Sequence, residues 1–345
     1  MKILIDARMV TGHHGIGRYT STLIQGLITR KHAVSVLIHS SETLKSVGKD
    51  VVEVIECSLP FAHPAEAIQL TGKIQFSKYD IVHLPSFAVP MKSSPNLVIT
   101  IHDLIHLHKP NLAHKLYYNT VLKKTLRGAG AVITVSDWAK RELNKYLKTD
   151  LKKIVVVRNG LEPRWFEKPL ENKGSEKPFF LALGNTKKHK NVPTLIKAAQ
   201  NLWEQNLDFN LVLSLGGQEI PEEWKIDSLT KSKIKILKNI SDDKLQEYFR
   251  TCVALVSPSY LEGFDYAVAE ALAQGKPAIL SQGSAHDEFK GEMVHFYGAP
   301  GDTQGLANIM KDIFDAPQRQ SFQHNISTQN EMVEKTLSVY RNCVP

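Results

Sequence analysis

The chain has 345 residues, too long for one typical domain and suited to two of roughly 150 each. Its 42% hydrophobic and 23% charged composition is that of a soluble globular protein, and no apolar run approaches the ~18 residues of a membrane-spanning helix. The net charge of +8 lies in residues 1–150, which hold 19 Lys and Arg against 11 Asp and Glu, while the rest of the chain balances.

Such an excess suits an anionic membrane surface or a phosphate-bearing substrate. The sequence carries no RNP-type aromatic strand, helix-turn-helix cue or zinc finger, which argues against nucleic acid. Cys57, Cys252 and Cys343 are scattered, match no metal spacing and cannot pair evenly, so a reducing, cytoplasmic compartment is expected. The opening Met1-Lys2-Ile3-Leu4-Ile5-Asp6 reads as a short strand interrupted by charge, not as a signal peptide.

Residues 2–6 lead into a glycine loop, Gly12 to Gly17, and then an apolar-periodic helix through Tyr19, Leu23, Ile24, Leu27 and Ile28. The loop lacks the Lys-Ser/Thr of a P-loop and is not a strict G-x-G-x-x-G. Further strands are expected at 33–38, 51–55, 81–84, 97–101, 131–135 and 154–157. Helical tracts are expected at 65–76 and 114–127, with a third capped by Ser136. Residues 167–178, polar with two prolines and a glycine, read as a linker.

A second series begins at once. Strand 179–183 is followed by the basic loop Gly184 to Asn191 and a helix from Pro193 to Leu202. Strands at 210–215 and 234–237 and a helix over 242–250 come next. The apolar run 253–256 then ends at Ser257-Pro258-Ser259. The loop Glu262-Gly263-Phe264-Asp265 opens another helix that stops at Gly275-Lys276-Pro277, before a strand at 278–280 and a last helix over about 327–340. Alternating strands and helices imply α/β architecture with mostly parallel sheets, here two tandem Rossmann-like domains facing a cleft. The expected domains are 1–166 and 179–326, with 327–345 crossing back to the first.

A loop between a buried strand and a helix N-terminus is where an open parallel sheet receives an anion, because free N–H groups and the helix dipole converge there. Glu262 and Glu270 bracket such a loop, and carboxylates beside a phosphate site suit hydroxyl groups. Lys187, Lys188, His189 and Lys190 precede a helix at the equivalent edge, where cations can neutralise a departing diphosphate. His102 and Asp103 follow a strand at its carboxyl end. His106 and His108 alternate at strand spacing but lack a partner at metal-ligand spacing, so no metal is expected. Gln282-Gly283-Ser284-Ala285-His286-Asp287 resembles a nucleophile elbow only superficially.

In order, Gly15-Ile16-Gly17-Arg18-Tyr19, Ile101-His102-Asp103-Leu104, Val135-Ser136-Asp137-Trp138, Asn159-Gly160, Gly184 through Asn191, and Glu262-Gly263-Phe264 through Glu270-Ala271 resemble the retaining glycosyltransferases of family 4. These are metal-independent, nucleotide-sugar-dependent enzymes of the GT-B fold. The resemblance implies that Gly15 and Gly17 approach the donor diphosphate and the acceptor, and that His102 lies near the transferred sugar. It implies that Lys190 holds the diphosphate, Glu262 contacts sugar hydroxyls and Glu270 the ribose. Backbone N–H groups of Gly263, Phe264 and Asp265 would bind sugar or phosphate oxygens. Many relatives carry an arginine where Asn185 stands; Lys187 or Lys188 would then supply that charge, or phosphate stabilisation is weaker.

The implied activity is transfer of a hexose from a GDP- or UDP-linked donor, with no cofactor, to a hydroxyl of a glycan or lipid-linked acceptor, as in bacterial cell-surface polysaccharide synthesis. Mannose is the preferred sugar, with glucose, N-acetylhexosamine and rhamnose open. The basic first domain would touch an anionic membrane peripherally, at the inner face. A nucleotide-sugar epimerase of the same fold, and a non-catalytic glycan- or membrane-binding relative, are the alternatives.

Overall fold

Residues 1–10, 15–48, 50–59, 63, 65–108, 112–167, 177–316 and 326–344 are described by the computed structural model. Most of the linker expected at 167–178, and residues 11–14 of the expected glycine loop, lie outside them. The chain divides into two units, Met1–Glu162 with Ser327–Pro345, and Pro163–Ile326.

The first unit runs β1 (Lys2–Asp6), α1 (Gly15–Thr29), β2 (Ala33–Ile38), α2 (Ser41–Val47), β3 (Glu53–Glu56), α3 (Glu66–Lys73), β4 (Ile81–Leu84) and β5 (Leu97–Ile101). Then come α4 (Leu112–Tyr117), a π turn (Tyr118–Leu122), α5 (Lys123–Gly128), β6 (Ala131–Thr134), α6 (Asp137–Leu147) and β7 (Ile154–Val156). All seven strands pair in parallel in the order β3-β2-β1-β4-β5-β6-β7. Central strands such as β4 and β5 are buried on both faces, as their continuous apolar runs require. The α1 stripe of Tyr19, Leu23, Ile24 and Leu27 packs into one of the unit's apolar clusters. Gly15 and Gly17 belong to the first turn of α1, not to a loop ahead of it. Helix α6 starts where expected, with the Ser136 hydroxyl accepting from the Ala139 N–H at 3.1 Å.

The second unit runs β8 (Phe179–Leu183), α7 (Val192–Glu204), β9 (Asn210–Ser214), α8 (Ser228–Ser232), β10 (Ile234–Leu237), α9 (Asp242–Thr251), β11 (Ala254–Ser257), α10 (Tyr266–Ala273), β12 (Ala278–Leu280), β13 (Val294–Phe296) and α11 (Thr303–Asp315). Its strands are also all parallel, ordered β10-β9-β8-β11-β12-β13. Neither β13 nor α11 is among the elements expected from the sequence. Helix α11 lies in the same apolar cluster as α7, through Leu306, Ala307, Met310 and Ile313.

The last helix, α12 (Gln329–Arg341), belongs to the first unit and is closed by a capping box between Thr328 and Glu331. The outgoing and returning segments run side by side. Leu161 N–H donates to the Ser327 carbonyl at 2.9 Å, and Gln329 N–H to the Leu161 carbonyl at 2.8 Å. Gly160 permits this approach, since a Cβ there would stand 2.2 Å from the Thr328 carbonyl oxygen.

Candidate functional site

Each sheet reverses its winding once, between β1 and β4 in the first unit and between β8 and β11 in the second. In open parallel sheets, ligands collect outside the carboxyl ends of strands at such a switch point. A pocket occupies that place in the second unit, lined by Gly184 after β8, Ser214 at the end of β9, Lys190, and Ser257, Pro258 and Ser259 at the end of β11.

Four bonds bring together segments 67 to 109 residues apart. Lys190 Nζ donates to Glu262 Oε1 at 2.6 Å. The Tyr260 N–H donates to the His189 carbonyl at 2.7 Å. Asn191, in the left-handed region at φ 52°, donates from its amide to the carbonyls of Pro258 and Pro300 at 3.0 and 2.5 Å. Asn191 also accepts from the Thr194 hydroxyl within the first turn of α7, so the basic loop is anchored at its helix end. Asn185 accepts from the Lys187 N–H at 3.0 Å, which commits its side chain to the turn. Lys187 and Lys188 are exposed.

Glu262 is buried, and burial pushes its pKa up; the Lys190 ammonium opposes that, while the Asp265 carboxylate adds to it. Asp265 caps α10, its carboxylate accepting from the N–H groups of Ala267 and Val268. Burial pushes the Asp265 pKa up, but His286, Lys190 and Ser257 outweigh it and hold the group well below the ordinary carboxylate range. The N–H groups of Gly263, Phe264 and Asp265 donate to no other described residue, which leaves three donors at the start of α10. Glu270 lies about one turn inside α10 and is buried. Lys190, Glu262 and the 263–265 donors thus share one end of one sheet.

The first unit places its residues separately. His102, buried, follows β5 and meets the Tyr19 ring edge-on with centroids 4.8 Å apart. Behind it lies a network absent from the expectations above. His83 in β4 pairs through Nδ1 with the Tyr340 hydroxyl at 2.5 Å and through Nε2 with the Thr100 hydroxyl at 2.7 Å. Tyr19 reaches the same Thr100 at 3.2 Å. Burial, with His102 nearby, lowers the His83 pKa to about 3, so its ring is neutral. No local signal marks His83, since Tyr340 is 257 positions away. His108 pairs with Glu142 at 2.8 Å and stacks on Trp138. His106 lies 3.4 Å from the Tyr118 hydroxyl. Among the described residues no group of three or more His, Cys, Asp or Glu is arranged to hold a metal.

The chain is similar to known proteins in sequence and in fold. The Glycosyltransferase Family 4 profile matches residues 13–165, and that of Glycosyl transferases group 1 matches residues 163–331. The chain is 27% identical over 248 residues to the O-antigen chain mannosyltransferase RfbU of Salmonella typhimurium, covering 71% of this chain and 67% of that one. It is 24% identical over 279 residues to O-antigen chain mannosyltransferase B of Escherichia coli, covering 76% and 71%. Among solved structures, a glycosyltransferase from Rickettsia africae aligns at a TM-score of 0.77 and 20% identity over 99% of this chain and 98% of that one. HepE of Anabaena, in complex with UDP and glucose, aligns at 0.73 and 17% over 98% and 99%. At those identities the structures establish a common fold.

Proposed function

This chain belongs to the family 4, group 1 glycosyltransferases of the GT-B fold, and from that premise we propose that it moves a hexose, mannose by preference, from a nucleoside-diphosphate sugar to a hydroxyl of a glycan or lipid-linked acceptor with retention at the anomeric carbon. The observation that carries the reading is the Lys190–Glu262 pair beside the three open N–H groups of 263–265. An ammonium and a helix N-terminus are preorganised for a leaving diphosphate, and an adjacent carboxylate suits sugar hydroxyls. The mannose preference is supported by relatives named as O-antigen chain mannosyltransferases.

In the proposed reaction the bond from the anomeric carbon to the phosphate oxygen breaks as the acceptor oxygen bonds to the same carbon. The acceptor proton passes to the departing phosphate oxygen on the same face. Lys190 exchanges its carboxylate partner for phosphate oxygens, and the N–H groups of Gly263, Phe264 and Asp265 take further oxygens. Glu262, released from Lys190, accepts from sugar hydroxyls, and Glu270 from the ribose. Roles for Gly15, Gly17, His102 and Asn185 in the reaction belong to the same proposal.

For the acceptor side, the excess of positive charge in residues 1–150 supports peripheral contact with an anionic membrane at the inner face. So does α4, where Leu112 and Leu116 are 83% and 64% exposed around Lys115. No described helix is long and apolar enough to cross a membrane.

A thermal-shift panel of nucleotide sugars tests the donor reading, because a ligand that binds the native state raises its melting temperature by mass action. A rise with GDP-mannose larger than with UDP-sugars is expected. No rise with any nucleotide sugar or nucleoside diphosphate would defeat it.

A further inference from the structure

Four titratable side chains, Lys190, Glu262, Asp265 and His286, converge beneath the 262–265 loop, and the side chains of the last two have no part in the reaction as proposed. Asp265 Oδ2 accepts from the Ser257 hydroxyl at 2.6 Å and stands 3.2 Å from His286 Nε2. His286 follows β12 in the short Ala285–Glu288 turn and is wholly buried. Its Nδ1 lies 3.2 Å from the Ser281 carbonyl. The nearby hydroxyls are otherwise engaged: Ser281 donates to the Ser259 carbonyl and Ser257 to Asp265. Nε2 also lies 3.3 Å from the Ser257 hydroxyl and Nδ1 3.3 Å from the Ser281 hydroxyl; with those protons directed elsewhere, each ring nitrogen faces accepting oxygens, a carbonyl on one side and a carboxylate on the other. Satisfying both takes a proton on each nitrogen.

The loop is fixed through the same contacts. The Ala285 N–H donates to the Glu262 carbonyl, so the turn bearing His286 also braces the backbone that precedes the open N–H groups. Asp265 occupies two helix donors, Ala267 and Val268, and leaves those of Gly263, Phe264 and Asp265 itself. This arrangement puts a carboxylate at the helix end where a diphosphate would approach. A buried carboxylate there repels a phosphate strongly unless a cation answers it. Lys190 is already paired to Glu262. His286 is the side chain in contact with Asp265 that can carry a positive charge.

We propose that Asp265 and His286 form a buried carboxylate–imidazolium pair that positions the 262–265 loop for the donor diphosphate and cancels the charge of its own helix cap. The pair consists of positioning residues for donor binding: the cap sets which N–H groups remain available, and His286 makes the cap electrically tolerable to a phosphate. It rests on the donor site proposed above, and its failure can be separated from failure of that reading.

The test is calorimetric titration of GDP and UDP into the full chain, its His286→Gln form, and the Asp265→Asn/His286→Gln double form. Thermal unfolding of each is recorded alongside. His286→Gln leaves Asp265 uncompensated, and nucleoside-diphosphate affinity is expected to fall at least about tenfold. The double form, which removes both charges and keeps an Asn cap, is expected to regain most of that loss. A brace that acted only through shape would leave the double form no better than the single one. Unchanged affinity in a folded His286→Gln protein, or no recovery in a folded double form, would overturn the pair while the donor site stands. An unmodified chain that binds neither nucleotide would overturn both. If either variant fails to fold, nitrogen-15 spectra of the histidine-labelled native chain at neutral pH decide the matter. A His286 ring with both nitrogens protonated supports the pair, and a neutral ring overturns it.

Discussion

Replacing Lys190 with methionine keeps most of the side chain's bulk and deletes the charge that answers Glu262. The two side chains are 19% and 8% exposed, with Nζ 2.6 Å from Oε1. Burial is the largest influence on Glu262 and raises its pKa; Lys190 is the counterweight. Without it the carboxylate either stays ionised and unpaired, at roughly 3–5 kcal/mol for a buried charge that loses its partner, or takes up a proton. The sign follows from linkage. A carboxyl whose folded pKa lies above its unfolded value holds its proton more tightly in the folded chain, and that contribution is lost as pH rises through the folded value. The stability deficit of Lys190→Met is thus expected to be about 3 kcal/mol at pH 8 and to shrink to about 1 kcal/mol at pH 5. Urea unfolding in a Trp138→Phe background measures it, since Trp165, Trp203 and Trp224 then report the second unit. Equal deficits at both pH values, or none, would refute an ionised Glu262 held against Lys190.

Three further outcomes are expected. Gly160→Ala forces a Cβ to 2.2 Å from the Thr328 carbonyl, so chemical denaturation should show a loss of about 1–3 kcal/mol. His83, with its folded pKa lowered to about 3, leaves the unfolded chain binding more protons below about pH 6.5. Stability should therefore fall with decreasing pH by up to about 1.4 kcal/mol per unit, and the difference in slope between native and His83→Gln proteins measures it. Leu112→Ser/Leu116→Ser should reduce sedimentation with anionic vesicles, without altering nucleoside-diphosphate binding measured by calorimetry.

The strands are legible in the sequence because parallel strands buried on both faces read as short apolar runs, and β1, β2, β4, β5, β8 and β12 fall on the expected residues, as does the edge strand β10 with its exposed Lys235. Strand β13 is three residues of mixed character, Val294-His295-Phe296, and gives no such run. Helix α11 does carry a signal, the Asp302 cap ahead of Leu306, Met310 and Ile313, and is missed although its pattern is present. The π turn at Tyr118–Leu122 is a slip in hydrogen bonding inside a long helical tract, which periodicity cannot detect. Ser136 and Ser241 mark their helices through local chemistry, each accepting from the N–H three residues on.

The candidate site is legible only in pieces. The basic loop and the Glu262–Asp265 loop each announce a helix N-terminus, but their ion pair joins residues 72 positions apart and is a product of the β8–β11 switch point. Asn185 stands where the resemblance places a donor-binding residue, and its Oδ1 also accepts from the Lys187 N–H, a turn contact that the sequence does not announce. The Asp265–His286 contact spans 21 positions across a crossover, and a histidine between alanine and aspartate gives no hint of it.

The most direct test of the central claim is an acceptor-dependent transfer assay with GDP-mannose and UDP-sugars, comparing the native chain with Lys190→Ala. The account predicts that the native chain releases nucleoside diphosphate and forms a glycoside with the donor's anomeric configuration, and that the folded Lys190→Ala protein does neither. Full activity in Lys190→Ala, or a product of inverted configuration, would contradict it.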